Sequence, residues 1–231
     1  MSTLTFFVTG TDTEVGKTFI SVALLEAFNK KGLSTVAYKP VAAGCEQTSQ
    51  GLRNEDALLL QGACSTVLNY QEVNPIALAD PVAPHLAAQR LNRALSMADI
   101  TAGFVHLQDK KSEVLLVEGA GGWRLPLGRA KSGKQQFLSD FAIEQKLPVI
   151  LVVGMRLGCL NHALLTAQAI QNDGLEIVGW VANQLQGDMP YLEENIASLK
   201  ALLALPFIGC VPKLASPQDA LPFLQLSILL D

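Results

Sequence analysis

Short runs of apolar residues alternate along the chain with segments of helical periodicity. A helix is predicted over residues 17–31, where Gly32 would end it, and another over residues 161–172. The apolar runs are four to six residues long and end in glycine or a polar residue, which favours strands over helices. The predicted strands are residues 4–8, 34–38, 113–117, 149–153, 177–182 and 207–211.

These strands are apolar on both faces, which is typical of a parallel sheet with helices on both sides. Strands that alternate with helices predict a doubly wound α/β fold. Ligands bind such folds at the carboxyl ends of the strands. Because each predicted strand leads into a glycine-rich or polar loop, we expect these loops to meet at one edge of the sheet. Residues 1–231 are expected to form a single domain, since one α/β domain of this length is common.

Composition narrows the functional classes. Hydrophobic residues make up 49% of the 231 residues and charged residues 16%, so disorder is not expected. The formal net charge of −4 argues against nucleic acid or an anionic membrane surface as a partner. The four cysteines are scattered, which predicts reduced thiols in a cytoplasmic protein rather than a zinc site. No signal peptide is predicted from residues 1–7, and no apolar run is long enough to span a bilayer.

The strongest motif runs from Gly10 to Thr18, as GTDTEVGKT. It has one residue more between its glycines than the common phosphate-binding loop, but a strand precedes it and a helix follows. Successive backbone N–H groups at a helix N-terminus bind anions. Lys17 is therefore expected to contact the β- and γ-phosphates of ATP, and the Thr18 hydroxyl to bind Mg²⁺.

Three further charged residues lie near predicted strand ends or a helix start. Glu118 follows the strand at 113–117, where a carboxylate that binds Mg²⁺ directly or through water would lie. Asp56 could be a third ligand, although its spacing alone favours an acid at a helix N-terminus. Lys39 could stabilise a transferring phosphate, although position alone favours a solvated lysine.

Weaker candidates remain open between a functional and a structural role. Gly158, Cys159, Leu160 and Asn161 precede a predicted helix and could bind an anion or only begin the helix. Asn183 could bind a nucleobase or only cap a turn. The three histidines form no metal or triad pattern.

Two segments are less regular. Residues 48–112 are expected to form helices and loops beside the sheet. Residues 124–136, with Arg129, Lys131 and Lys134, are expected to form a mobile surface loop.

In their order along the chain, six blocks resemble the dethiobiotin synthetase family, and together they cover nearly the whole sequence. The blocks begin with the phosphate loop and end with a strand that carries Asn183. They are GTDTEVGKT at 10–18, YKPVA at 38–42, GLRNEDA at 51–57, VEGAGGW at 117–123, LGCLNHA at 157–163 and GWVAN at 179–183. The resemblance implies a P-loop NTPase-type fold.

The resemblance also implies a reaction. The family closes a cyclic urea on 7,8-diaminopelargonic acid with CO₂, ATP and Mg²⁺. One amine forms a carbamate with CO₂, and the carbamate oxygen attacks the γ-phosphate of ATP. The other amine then displaces phosphate from the mixed anhydride, which gives dethiobiotin, ADP and phosphate. The family forms a homodimer in which each subunit completes the other's substrate site.

Carried onto this chain, the family's pattern gives each motif a role. Lys17, Lys39, Thr13 and Glu14 are expected to be catalytic, and Thr18, Asp56 and Glu118 to bind Mg²⁺. The diamine is expected to contact Thr13, Lys39, Ala43, Gly158, Cys159, Leu160 and Asn161, the last four from the partner subunit. The nucleotide and Mg²⁺ are expected to contact Glu14, Val15, Gly16, Lys17, Thr18, Phe19, Asp56, Glu118, Gly119, Ala120, Gly121, Asn183, Gln184, Val211, Pro212 and Lys213.

The chain departs from the family at three places, which keeps alternatives open. Ala43 stands where a serine often contacts substrate, and Gln218 stands near the place of a glutamate that can contact the ribose. The segment after Trp123 is longer. A paralogue with a shifted substrate is one alternative, and a P-loop switch or assembly ATPase is another. The second usually has a lysine early in the glycine loop, where this chain has Thr11, Asp12 and Thr13.

Overall fold

The computed structural model describes residues 3–130, 132–185, 187 and 189–230. Lys131, part of the predicted mobile loop, lies outside these residues. Twelve strands and eight helices lie in the described ranges. The strands are β1 Leu4–Gly10, β2 Thr35–Tyr38, β3 Val41–Ala42, β4 Glu46–Thr48, β5 Gly51–Arg53, β6 Ile76–Ala77, β7 Val114–Gly122, β8 Pro126–Arg129, β9 Gln135–Phe137, β10 Val149–Gly154, β11 Ile177–Asn183 and β12 Phe207–Val211.

The helices of the described ranges lie between these strands. They are α1 Lys17–Lys30, α2 Glu55–Ala63, α3 Tyr70–Val73, α4 Pro84–Arg90, α5 Met97–Gln108, α6 Leu138–Glu144, α7 Cys159–Asn172 and α8 Leu192–Leu203, followed by 3₁₀ segments at Pro217–Phe223 and Leu226–Leu229. None of the helices in the described ranges is long and apolar enough to cross a membrane.

Six strands form one parallel sheet in the order β12-β11-β10-β1-β7-β2. All four residues of β2 and the first five of β10 are buried, as expected when helices cover both faces. The predicted α/β fold is therefore confirmed, and the six predicted strands are the six strands of this sheet. In the sheet β1 lies between β7 and β10, so the phosphate loop begins where the chain changes direction across the sheet, the usual place for a ligand.

One prediction about the strand ends is wrong. The sequence EGAGG at 118–122 looks like a loop, but β7 continues through it to Gly122, which pairs with Gly10 of β1. Backbone hydrogen bonding to a neighbouring strand needs no apolar side chains, so the hydrophobic pattern stops before the strand does. The glycines therefore lie on the sheet and hold the backbone of β7 beside the phosphate loop.

Two irregular segments contain structure that the sequence pattern does not show. Within residues 48–112 the predicted helices are present, but β5 and β6 also lie there and pair with β4 and β3. The interpretation of residues 124–136 as a loop is wrong, because β8 and β9 form an antiparallel hairpin. Leu127 is buried, and Arg124 forms an ion pair with Asp173 at the end of α7. Strands of two to four residues are too short to give a periodic signal.

Candidate active site

The phosphate loop joins β1 to α1 with a tightly constrained backbone. Gly16 is the N-cap residue of α1 and has φ of 84°, in the left-handed region that glycine adopts most easily. Glu14 also has a positive φ, 56°. The Asp12 carboxylate accepts a hydrogen bond from the Thr13 backbone N–H at 2.8 Å. This geometry turns the loop so that the N-terminus of α1 faces the carboxyl edge of the sheet, where an anion can bind.

Lys17 lies inside this loop rather than in solvent. Its ammonium donates to the Asp12 carbonyl oxygen at 3.0 Å, and the residue is 8% exposed. Burial lowers the pKa of Lys17 to about 8; Glu118 opposes this shift, and the positive charge of Lys39 adds to it. A bound phosphate would supply the negative charge that Lys17 lacks here.

Lys39 is the centre of an ionic cluster. Its ammonium lies 2.6 Å from Glu118 Oε1 and 3.2 Å from Asp56 Oδ2. The Thr18 hydroxyl donates to the same Glu118 oxygen at 2.8 Å. Burial alone would lower the pKa of Lys39, but Glu118 and Asp56 outweigh that effect, and the net direction is upward. The interpretation of Lys39 as a solvated lysine is therefore wrong, since the residue is 4% exposed.

The cluster has donor atoms of the kind that Mg²⁺ prefers. Glu118 is 1% exposed, and within the described residues its second oxygen, Oε2, has no hydrogen-bond partner. Asp56 lies in the first turn of α2, as its spacing predicts, and still reaches the cluster. No group of three or more His, Cys, Asp or Glu suited to a metal occurs among these residues. Two carboxylates and the Thr18 hydroxyl fit Mg²⁺, which takes few protein ligands and completes its shell with phosphate and water.

A second set of candidate binding residues, separate from the ionic cluster, lies at the ends of β10, β11 and β12. Asn183, the last residue of β11, is 1% exposed and donates its amide N–H to the Val15 carbonyl at 2.9 Å. Its Oδ1 atom is buried and has no hydrogen-bond partner within the described ranges. A Cβ at Gly16 would lie 2.1 Å from Asn183 Nδ2, so only glycine allows this close approach. The free acceptor suits a ligand with an N–H donor, such as the amino group of adenine.

Other predicted nucleotide residues lie around these two groups. The Gln184 backbone N–H donates to the Val211 carbonyl at 2.9 Å, which joins the ends of β11 and β12. Pro212 is half-buried and Lys213 exposed beyond that bond, while Phe19 packs against the core. Gly119, Ala120 and Gly121 lie on β7, where a Cβ at Gly121 would be 3.8 Å from the Thr13 hydroxyl. The lengthened part of the phosphate loop therefore lies beside β7.

The predicted substrate residues are only partly brought together. Ala43 follows β3 and is half-buried. The helix α7 begins at Cys159, two residues earlier than predicted, with Gly158 as its N-cap at φ of 93°. Cys159 is buried, and its backbone N–H bonds to the Arg156 carbonyl at 3.0 Å. Among the described residues, no hydrogen bond joins residues 158–161 to the phosphate loop.

Two features of the site have no counterpart in the sequence predictions. Arg156, just after β10, forms an ion pair with the Asp12 carboxylate and so joins the phosphate loop to the segment that leads into α7. An arginine directly after a strand end is a signal that could have indicated this. A cavity of about 730 Å³, bordered by Asp56, Arg53 and the β4–β5 hairpin, opens beside the ionic cluster. No sequence pattern indicates that cavity.

Comparison with known proteins agrees with this geometry. A family model described as an AAA domain matches residues 4–219. The ATP-dependent dethiobiotin synthetase BioD of Cellvibrio japonicus is 53% identical over the whole of both chains. That of Pseudomonas aeruginosa strain LESB58 is 53% identical over 93% of this chain and 92% of its own.

Solved structures resemble the fold. The MinC:MinD cell division complex of Aquifex aeolicus has a TM-score of 0.55 at 16% identity, covering 91% of this chain and 82% of that chain. At this identity the likeness shows the P-loop NTPase-type fold alone.

Proposed function

The chain belongs to the ATP-dependent dethiobiotin synthetase family, and on that premise we propose that it closes the cyclic urea of dethiobiotin. The substrates are 7,8-diaminopelargonate, CO₂ and ATP, and the products are dethiobiotin, ADP and phosphate. The supporting observation is the cluster in which Lys39 bridges Glu118 and Asp56 beside Thr18. Four residues from separate parts of the chain, each matched to the family's pattern, meet at one point.

In this proposal the ionic cluster and the phosphate loop act on the transferring phosphate. Thr18, Asp56 and Glu118 hold Mg²⁺, which when bound neutralises charge on the phosphate oxygens. Lys17 and Lys39 stabilise the negative charge that develops as a carbamate oxygen attacks the γ-phosphate. Thr13 and Glu14 contact the diamine, because the loop segment that carries them is exposed and lies beside β7.

The residues at the ends of β10, β11 and β12 hold the nucleotide at the carboxyl edge of the sheet. Asn183 accepts a hydrogen bond from the adenine amino group through its unpaired Oδ1. Gln184 and the turn of Val211, Pro212 and Lys213 contact the rest of the base and the ribose. The backbone of residues 14–19 and of 119–121 surrounds the phosphates.

We further propose that residues 1–231 form a single domain in a cytoplasmic homodimer whose subunits share their substrate sites. Support comes from α7, where Leu165 and the preceding Leu157 are exposed, at 58% and 97%. Contact with a second subunit would remove these two apolar side chains from water. Gly158 to Asn161 would then face the carboxylate of the diamine bound in the partner subunit.

A single-turnover assay tests the reaction. The protein is mixed with ATP, Mg²⁺, isotopically labelled bicarbonate and 7,8-diaminopelargonate, and the product mass is measured. We expect a cyclic urea that carries the label, with one ADP for each product molecule. Hydrolysis of ATP without a cyclic urea would instead indicate a switch ATPase or a paralogue with another substrate.

Subunit mixing tests the shared site. The Lys17→Ala and Asn161→Asp variants are each expected to be weakly active, the second because its carboxylate repels that of the substrate. If the site is shared, mixed dimers contain one site with both native residues, and activity returns on mixing. Mixtures as inactive as the separate variants, in protein shown to be dimeric, would contradict the shared site.

A further inference from the structure

A chain of buried hydrogen bonds connects the backbone beside Lys39 to the start of α2. The Tyr70 hydroxyl accepts the backbone N–H of Asn54 at 2.8 Å and donates to Asn74 Oδ1 at 2.9 Å. Asn74 Nδ2 in turn donates to the backbone carbonyl of Lys39 at 2.6 Å. Two side chains, Tyr70 and Asn74, therefore join two backbone segments that are distant in sequence.

Both ends of this hydrogen-bond chain lie next to residues of the ionic cluster. Asn54 is the N-cap of α2, and its side chain accepts the Ala57 backbone N–H at 3.3 Å. Asp56 lies in the first turn of the same helix, and its carboxylate contacts the Lys39 ammonium at 3.2 Å. The hydrogen-bond chain and the ion pair thus close a ring. The ring therefore restrains the distance between the Asp56 carboxylate and the Lys39 ammonium.

The two side chains of this hydrogen-bond chain are buried, and their polar groups are paired. Tyr70 is 6% exposed and Asn74 is 2% exposed. The backbone N–H of Asn74 donates to the Tyr70 carbonyl at 2.8 Å, and that of Lys39 to the Val73 carbonyl at 2.8 Å. The Arg53 guanidinium lies 4.3 Å from the centre of the Tyr70 ring. A fully paired buried network restricts motion, so this one fixes α2 against the end of β2.

We propose that Tyr70 and Asn74 are positioning residues that set the place of Asp56 relative to Lys39 and Glu118, and so determine how tightly Mg²⁺ binds with ATP. The proposal rests on the function proposed above, in which Asp56 and Glu118 hold Mg²⁺. Neither residue touches the metal; each acts through the backbone of Lys39 or of α2. Groups behind metal ligands commonly affect metal affinity in this way.

The test is Mg²⁺ binding by the Tyr70→Phe variant, measured by calorimetry with a non-hydrolysable ATP analogue and no diamine. The substitution keeps the ring but leaves the Asn54 N–H and Asn74 Oδ1 without their partner. We expect Mg²⁺ affinity to fall roughly 10-fold, the lower end of the effect of losing such supporting groups. Asn74→Asp, which keeps the acceptor for Tyr70 but removes the donor to Lys39, should weaken Mg²⁺ binding as well and serves if the first variant is unstable.

Tyr38→Phe is the matched control. Its hydroxyl donates to the buried Ile100 carbonyl at 2.8 Å, and the residue directly precedes Lys39. The control loses one buried tyrosine hydrogen bond next to Lys39, but that bond leads to α5 and away from α2. We expect a similar loss of thermal stability in both variants and unchanged Mg²⁺ affinity in the control. Equal Mg²⁺ affinities in the two variants would overturn the proposal.

A double-mutant cycle separates positioning from general destabilisation. Because Tyr70 acts through Asp56, adding Tyr70→Phe to Asp56→Asn should cause little further loss of Mg²⁺ affinity. Fully additive losses would overturn the proposal, and so would an Asp56→Asn variant with native Mg²⁺ affinity. A native protein that makes no cyclic urea, yet shows the expected difference between Tyr70→Phe and Tyr38→Phe, would instead overturn only the substrate assignment.

Discussion

The carboxyl edge of the sheet has two halves of different chemistry. We call the first the ionic half, which consists of Lys17, Thr18, Lys39, Asp56 and Glu118. The neutral half consists of Gly154, Asn183, Gln184 and Val211. In the ionic half, the buried Lys39 ammonium lies 2.6 Å from the buried Glu118 and 3.2 Å from the partly exposed Asp56. In the neutral half, the contacts are backbone bonds and a single amide, whose oxygen has no hydrogen-bond partner among the described residues.

This difference indicates how the two halves are stabilised before any ligand binds. A buried charge needs a partner, so Lys39 and Glu118 already neutralise each other. A buried amide oxygen can remain unpaired at much lower cost, so Asn183 keeps an acceptor available. In the proposed function, ligand binding therefore rearranges ion pairs in the ionic half and completes a hydrogen bond in the neutral half. Substitutions in the first half should lower turnover as well as ligand affinity, whereas those in the second should change affinity with little effect on turnover.

The largest expected effect is that of Lys17→Ala. Without its ammonium, charge on the transferring phosphate loses a stabilising contact, and turnover should fall about 100- to 1000-fold or more. Circular dichroism should show an intact fold. Lys30→Ala, at the exposed end of the same helix, is the control and should keep native turnover. Near-native turnover by Lys17→Ala would contradict the proposed mechanism.

Lys39→Ala should lower both turnover and stability. Glu118 would be left buried without its cation, so the free energy of unfolding should fall by about 3 kcal/mol in urea titrations. Adding Glu118→Gln to that variant should recover part of the loss, because the unpaired charge is then removed. A loss of turnover of only about two-fold would be too small for a contact made in the transition state.

Asn183→Ala tests the neutral half. Loss of the adenine contact should raise the KM for ATP about 10-fold with little change in kcat, since the affected contact is made equally in the bound substrate and the transition state. Preference for ATP over GTP should fall as well. If kcat fell as much as it does in Lys17→Ala, the separation between the two halves would be contradicted.

The pH dependence of ATP binding should come from Lys17. Because its pKa is about 8 in the free protein, the ammonium is present below that pH and is lost above it. Bound phosphate favours the protonated form, so affinity should be constant below pH 8 and decline as the pH rises further. Lys17→Ala should not show this decline. A flat profile in the native protein would mean that Lys17 does not contact phosphate.

Arg156→Gln should have the smallest effect. The ion pair of Arg156 with Asp12 joins the phosphate loop of the ionic half to the segment after β10 in the neutral half. Both side chains are partly exposed, so stability should change by less than about 1 kcal/mol. We expect a few-fold lower kcat/KM in the variant than in the native protein. This difference should shrink at high salt, because salt screens the ion pair that only the native protein has.

The fold was predictable because its signal is local. Buried strands need apolar residues in continuous runs, and the phosphate loop needs glycines at fixed positions, so both are visible in short windows of sequence. The continuation of β7 through Gly122 was not visible, because it depends on pairing with β1 rather than on its own side chains. The β8–β9 hairpin was missed since its strands are too short to show a period.

The residues of the proposed site could be named from the sequence, but the contacts between them could not. Position alone favoured a solvated Lys39, because its partner Glu118 is 79 residues away and no local pattern connects them. Only the resemblance to a family placed them in one site. The pairing of Tyr70 with Asn74 behind them has no sequence signal, since a tyrosine and an asparagine four residues apart match no known motif.

The bond between Asn183 and Val15 has a consequence for efforts to change nucleotide selectivity. The amide proposed to accept a hydrogen bond from the base also donates one to Val15, in the loop proposed to surround the phosphates. A substitution chosen to suit guanine would remove that hydrogen bond, and in the proposed function it would weaken the binding of guanine nucleotides as well as of ATP. Libraries for altered nucleotide use should therefore keep Asn183 and vary Gln184, Pro212 and Lys213, none of which forms a side-chain hydrogen bond to the loop among the described residues.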